Sequence, residues 1–358
     1  MRLAVTSVGM VTPIGHGVVQ ASASLRAGVV RTVELPVTIV AEEEFEEVAV
    51  AGCTLRGVTD GFQGLARYRR IGERTLRDLA AHAAGNGGRG KALGGMAFYV
   101  CVSRIRYDRS GILDELLSEE LAEQLCAAAG LPIPAGRRYV VPEGHASVLH
   151  ALAHAASEIE QGRAAGAIIL GIDSLVTEDA LTYFAEGGRL KTANAPTGFV
   201  PGEAGAAIVV EDESAALQRG ATPLAFMGAI RSAKEPRHFL SEKPQYGVVL
   251  ASLLSSAIRE AGAVHAAYAD LDGEIGRAMD WGHATARVQG ECGTVPEPLV
   301  LPALSLGNTG AASGGISICA AVRSYARGYA PGPNILISSS SDDGSMAVCM
   351  LTRASRGS

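Results

Sequence analysis

Aromatic side chains are scarce in this chain of 358 residues, at 5%, and charged ones make up only 19%. The first shortage excludes a surface that stacks successive nucleobases. The second, beside 47% hydrophobic residues, excludes extensive disorder and leaves ample material for a core. Basic charge is not in surplus: 31 Lys and Arg against 37 Asp and Glu give a formal charge of −6. No nucleic acid and no anionic membrane surface is therefore expected as a partner. The short basic cluster RYRR (67–70) reads as a solvated helix face.

Long apolar runs are missing as well. No stretch of 18 apolar residues occurs, so no membrane span is expected. The opening MRLAVTSVGMV lacks a long apolar stretch followed by a small-residue cleavage site. The six cysteines (53, 101, 126, 292, 319 and 349) show no CxxC spacing and read as reduced core thiols, which points to the cytoplasm. Neither GHGVVQ (15–20) nor GNTGAASGG (307–315) fits the dinucleotide fingerprint, and no P-loop lysine is present. No cofactor is indicated.

What is present is glycine, 44 of it, and a set of short apolar runs that read as buried strands. They cover 2–11, 96–103, 166–175, 206–212, 223–230, 266–273, 298–305, 334–341 and 345–353. Helical stretches fall between them at 74–84, 112–129, 146–161, 247–261 and 311–327. Strands alternating with helices imply α/β layers with both sheet faces covered. The order runs twice, in 1–215 and in 216–358, each time ending on two consecutive strands. Residues 30–65, with the acidic AEEEFEE (41–47), read as a strand-poor, solvated insertion.

Three segments carry further information. AVTSVGMVTPIG (4–15) opens the chain, TGFVPGEAGAAIVVED (197–212) enters a buried strand, and SLGNTGAASGGISICAAV (305–322) enters a helix. In the second, Gly202 and Gly205 permit close sheet-to-helix approach or a positive φ. In the third, small residues can bring backbone N–H groups near a ligand or partner. Together, in this order and spacing, the segments resemble the β-ketoacyl synthases of the thiolase superfamily. The resemblance implies a thiolase-like five-layer α/β/α/β/α sandwich built from two similar halves, 1–215 and 216–358. It also implies a dimer formed through a strand of the first half and the helix beginning at 145.

The family's register seats its chemistry on unfamiliar residues. Its nucleophilic Cys stands 17 residues before the glycine that stops the next helix, and counting back from Gly162 reaches His145. The histidine of its HGT motif falls on Asp272, with Gly273 and Asp280 retained. The lysine and histidine of its KSxxGH motif fall on Ala303 and Asn308. Its GFGGTN loop appears as SDDGSM (341–346), so Ser341, Asp342 and Asp343 line the pocket and Asp342 replaces the gating phenylalanine.

These exchanges oppose Claisen condensation. The reaction needs a thiolate at a helix N-terminus and two donors for the charge that develops on the extender's carbonyl. A carboxylate about 4 Å from that charge would cost roughly 4 kcal/mol at an effective dielectric near 20, about a thousandfold in rate. The resemblance therefore implies a ketosynthase-like protein of fatty-acid or polyketide type without the Cys–His–His site. It would act as a chain-length-factor-like partner subunit or as a binding and adaptor module. Chain-length factors also replace the nucleophile, usually by glutamine. Its partner would be a second copy, an active ketosynthase or an acyl carrier protein.

A second reading keeps chemistry: His145 with Asp272 as the orienting half of a hydrolytic or acyl-transfer site, with Ser338 to Ser341 supplying hydroxyls. His150 and His154 share a helix face, but no third ligand is placed beside them by sequence, so no metal site is expected. DLDGE (270–274) lacks the ligand spacing of a calcium loop.

Overall fold

The apolar opening forms β1 (Leu3–Val11) in the computed structural model of the chain, which describes residues 2–40, 47–86, 95–108, 110–241, 243 and 245–354. α1 (Val18–Arg26), β2 (Val33–Val40), β3 (Glu47–Gly52) and the long α2 (Gly64–Gly85) follow. Next come β4 (Ala97–Cys101), α3 (Ile112–Glu119), α4 (Leu121–Ala129), β5 (Arg138–Val141) and α5 (Ser147–Glu160). β6 (Gly166–Ser174), α6 (Glu178–Glu186) and β7 (Glu203–Asp212) complete the first run, and α7 (Glu213–Gln218) leads onward. The second run holds β8 (Ala225–Met227), β9 (Arg231–Lys234), α8 (Val248–Ala261), β10 (Ala266–Ala269) and α9 (Ile275–Cys292). β11 (Leu299–Val300), α10 (Ala303–Leu306), α11 (Ser313–Arg327), β12 (Asn334–Ser340) and β13 (Ser345–Arg353) end it.

Across the large sheet the order is β5-β4-β6-β7-β1-β8-β13-β12-β10-β11, with β9 beside β13. In the first run β1 is antiparallel to β7 and β7 to β6, while β6, β4 and β5 are parallel. The second run repeats this: β8 is antiparallel to β13 and β13 to β12, while β12, β10 and β11 are parallel. The same five-strand order thus occurs twice, joined where β1 meets β8.

Side-chain alternation along the strands sorts the layers. In β6, Ile168 and Leu170 face one apolar cluster with Tyr68, Ile71 and Leu76 of α2 and Leu125 of α4. Ala167 and Ile169 face another, in which Val148 and Leu152 of α5 and Ile316 and Ala320 of α11 meet β12 and β13 from the opposite side. A third cluster packs α8 and α9 on the far face of the second run. The layers therefore run helices, sheet, α5 with α11, sheet, helices, as the family resemblance implies. Gly202 and Gly205 serve close approach rather than positive φ: a Cβ on either would overlap the carbonyl of Leu306 or the hydroxyl of Thr75.

Several sequence expectations need correction. The insertion 30–65 is not strand-poor, because β2 and β3 pair as an antiparallel hairpin whose Leu35 and Val50 pack with Phe184 and Phe199. Of the acidic stretch 41–47, residues 41–46 lie outside the described residues. The run 298–305 keeps only Leu299–Val300 as strand and then turns into α10. Pro298 and Pro302 bracket it, and proline cannot donate to a ladder. The helix expected over 112–129 breaks at Glu120 into α3 and α4. In the first run the two closing strands are separated by α6 rather than consecutive. The polar helix α9, with too few apolar positions for a clean 3.6-residue pattern, was legible only as a turn at its start.

Candidate functional site

Three chain segments converge where the strands of both runs end. After β5, Gly144 turns with φ +60° into a short 3-10 turn (Gly144–Ala146) that continues as α5, and His145 sits buried in that turn. Ser147 donates to the Gly144 carbonyl, tightening the turn. After α10, the chain passes Asn308 and enters α11 through Gly310, at φ +49°. A Cβ there would overlap the carboxylate of Asp173, so only glycine fits. After β10, Asp270, Asp272 and Glu274 precede α9, whose first turn carries Arg277.

Asn308 links two of these segments. Its Oδ1 accepts from the Gly310 backbone N–H at 2.9 Å, and its Nδ2 donates to Asp272 Oδ2 at 2.6 Å, so the amide orientation is fixed. His145 Nε2 lies 2.9 Å from the same Oδ1, and an oxygen already acting as acceptor requires the imidazole proton on Nε2. The Nδ1 lone pair then faces the Arg277 guanidinium, whose Nη2 stands 3.4 Å away. Both ring nitrogens are occupied. Burial, and then the Arg277 charge, lowers the His145 pKa to about 3, so the ring is neutral at physiological pH.

The structure brings together His145, Asn308 and Asp272 as the sequence register implies. Asn308 stands between the imidazole and the carboxylate, however, and the direct His145–Asp272 pair does not form. Ser341 Oγ accepts from the Ala146 N–H at 3.0 Å and donates to the Glu143 carbonyl, so it bonds to the turn and not to His145. Ala303 lines a small void behind the imidazole, beside Asp270 and Asp272. Backbone N–H groups ahead of α11 are spent internally: that of Gly310 on Asn308 and that of Ala311 on Asp173.

Two arginines that sequence reasoning missed organise the charge. Arg189, after α6, holds Glu274 in a bidentate pair at 2.7 Å and reaches Asp342 at 2.7 Å. Arg277 reaches Asp342 at 2.8 Å and lies 3.5–3.6 Å from Asp270, Asp272 and Glu274. Burial would raise the Asp342 pKa, but the Arg277 and Arg189 charges outweigh it and hold the carboxyl well below its usual range. Asp272 goes the other way: burial raises it to about 6 against the pull of Arg277, with Glu274 adding to the rise. Burial raises Asp270 too. Asp342 lines the cavity, yet it is neutralised rather than bare. The one available signal was the spacing DLDGEIGR, an acid three residues before an arginine at a helix start; Arg189 in EGGRLK gave none.

A cavity of about 260 Å³ opens in front of His145. Ser103, Tyr107, Leu175, Phe184 and Arg189 form part of its wall, together with Ser341, Asp342 and Asp343. Lys234 pairs with Asp343 at 2.7 Å across the rim. None of the six cysteines lines this cavity or the void behind His145. Burial raises their thiols where a shift is resolved, Cys53 to about 11 and Cys349 to about 12. His150 bonds Glu143, and His154 Nδ1 lies 2.8 Å from the Tyr99 hydroxyl, so the helix-face pair is divided between different partners.

Residues 135–216, which include the turn at His145, β6 and β7, match the model of the β-ketoacyl synthase N-terminal domain. The chain has the ketosynthase fold. It superposes on an oxazolomycin ketosynthase domain from Streptomyces albus with a TM-score of 0.77 at 16% identity, covering 100% of this chain and 76% of that one. The ishigamide ketosynthase/chain length factor gives 0.73 at 21%, covering 99% of this chain and 100% of that one. A type II polyketide acyl-carrier protein in complex with its ketosynthase bound to the hexaketide gives 0.76 at 18%, covering 99% of each chain. No curated protein matches the sequence. No helix among the described residues is long and apolar enough to cross a membrane.

Proposed function

We propose that this ketosynthase-fold chain is non-condensing and acts as a partner subunit of chain-length-factor type or as a binding module, in the cytoplasm. The observation that carries the reading is the state of His145. At the seat of the family's nucleophile it is neutral, with Nε2–H given to Asn308 and Nδ1 facing Arg277. No thiol lies near enough to replace it. Asp272 and Asn308, at the two histidine seats, bond each other and so are poor donors for a developing oxyanion. The hydrolase or acyltransferase alternative, His145 acting with Asp272, has less support, because Asn308 intervenes and Ser341 bonds elsewhere.

Partnering rests on the edge strand β5, half-buried along its length and paired on one side only, by β4. It borders α5, so a strand-to-strand dimer there would also cover Tyr139 and His154. The two proposed halves are 1–215 and 216–358, with α7 close to the joint. Among the similar structures, one is a ketosynthase/chain length factor and another holds an acyl-carrier protein with its ketosynthase, which makes a ketosynthase and a carrier protein the partners to try. Purified chain, alone and mixed with an active ketosynthase, is given acyl and malonyl carrier-protein thioesters, and products are read by mass spectrometry. No carbon–carbon bond formation by the chain alone is expected; condensation by the chain alone overturns the proposal.

A further inference from the structure

We propose that the face built from α1, the segment after it and the neighbouring turns of α2 and α11 docks an acidic protein surface, a carboxylate-rich helix of a partner. Arg26, Arg31, Arg74, Arg323 and Arg327 converge there, and none makes an ion pair among the described residues. The charges of Arg31 and Arg74 both act on His16, and that of Arg323 on His82 and Arg327. The Arg26 guanidinium rests 4.3 Å over the ring of Tyr329, which also neighbours Arg323. Neither α1 nor α11 contains an acidic residue. Of the acids nearby, Glu73 pairs with Arg69 and Arg70, and Asp78 accepts the backbone N–H groups of Met10 and Val18 at 2.8 Å while offsetting part of the charge at Arg323.

The surplus positive charge is felt by its neighbours. His16 and His82 both titrate below their usual value, first through burial and then through these arginines. A chain of net charge −6 that concentrates unpaired arginines on one face has something specific to attract. Two large apolar side chains sit among them, Val19 at 55% exposure and Val30 at 54%. Val19 and Arg26, seven residues apart, share one outward stripe of α1. Arginines around exposed apolar side chains is the make-up of a protein interface. A long polyanion such as a nucleic acid would meet net negative charge beyond the patch. None of the residues lining the cavity at His145 belongs to this face, so the inference stands apart from what the cavity holds.

The test titrates the full chain with a fluorescein-labelled amphipathic peptide of Glu and Leu at about 150 mM salt, followed by anisotropy. Binding is expected, weakening as salt rises. Exchanging the exposed Arg26, Arg31 and Arg327 together for Glu should lower affinity by roughly tenfold or more, and exchanging them for Lys by much less. Val19→Ser with Val30→Ser should weaken the Glu–Leu peptide but not an all-Glu one. If the charge-reversed chain does not fold, the salt titration and the valine pair decide. Salt-independent binding, no binding, an unchanged affinity after charge reversal, or tighter binding of a DNA duplex or phosphatidylserine vesicles overturns the proposal.

Discussion

Replacing Arg277 by Met should destabilise the protein strongly at neutral pH and much less in mild acid. The guanidinium is nearly enclosed, with 11% of the side chain exposed, and four carboxylates surround it. Arg189 would still serve Glu274 and Asp342, but Asp270 and Asp272 would lose the cation beside them. Asp272 already titrates near 6 with Arg277 in place. Without it the carboxyl must protonate to stay buried, at a further cost of about 1.36 kcal/mol per unit, or about 2 kcal/mol at pH 7.5. The loss at Asp270 and Asp342 brings the total to the 3–5 kcal/mol typical of a buried ion pair broken on one side. For 358 residues the unfolding entropy is about 0.75 kcal/mol/K, so the melting temperature should fall by roughly 5 °C.

The sign of the pH effect follows from the raised folded-state pKa. Such a carboxyl favours the folded state below its unfolded value, and that benefit is lost as pH rises through the folded value. At pH 5 Asp272 is largely protonated in both proteins, so the deficit of Arg277→Met should shrink to about half. Thermal melts at pH 5 and 7.5 make the check. A variant melting within about 1 °C of the parent at pH 7.5, or a deficit that grows in acid, refutes the reasoning.

Other outcomes follow from the same geometry. Glu203, fully buried, accepts from Leu55 N–H, Thr59, Arg67 and Ser174, so Glu203→Ala should cost about 3–5 kcal/mol, seen as a melting temperature lower by roughly 5 °C. The His145 ring should keep its proton on Nε2 and stay neutral well below pH 6.5, which nitrogen-15 NMR of labelled histidine reads directly. Because that folded pKa is lowered, its contribution to stability is present above about 6.5 and lost as pH falls toward 3. His145→Cys alone should not restore condensation, since Asp272 and Asn308 still lack the donors the reaction needs; an assay with malonyl thioester decides.

The layered fold was legible because its evidence is local. The run of β6 and the GEAGA entrance to β7 name buried strands, and small residues ahead of 313 announce a helix start. The place of His145 in the turn that opens α5 was legible too, through the spacing from turn to helix stop. The wiring around it was not. Asn308 reaches His145 across 163 residues and Arg189 reaches Asp342 across 153, and no sequence pattern encodes which distant charges will share one burial site. That is why Asp272 read as a bare carboxylate facing the imidazole, when Asn308 and Arg277 in fact stand at its side. The hairpin β2–β3 was missed because one acidic stretch concealed two short strands.

The most direct measurement is the intact mass of the purified chain after exposure to acyl carrier-protein and acyl coenzyme A thioesters. An imidazole with both nitrogens engaged, in a cavity free of thiols, predicts an unmodified mass at every time point. A stable acyl adduct mapping to the turn at 144–147 would contradict the account at its centre.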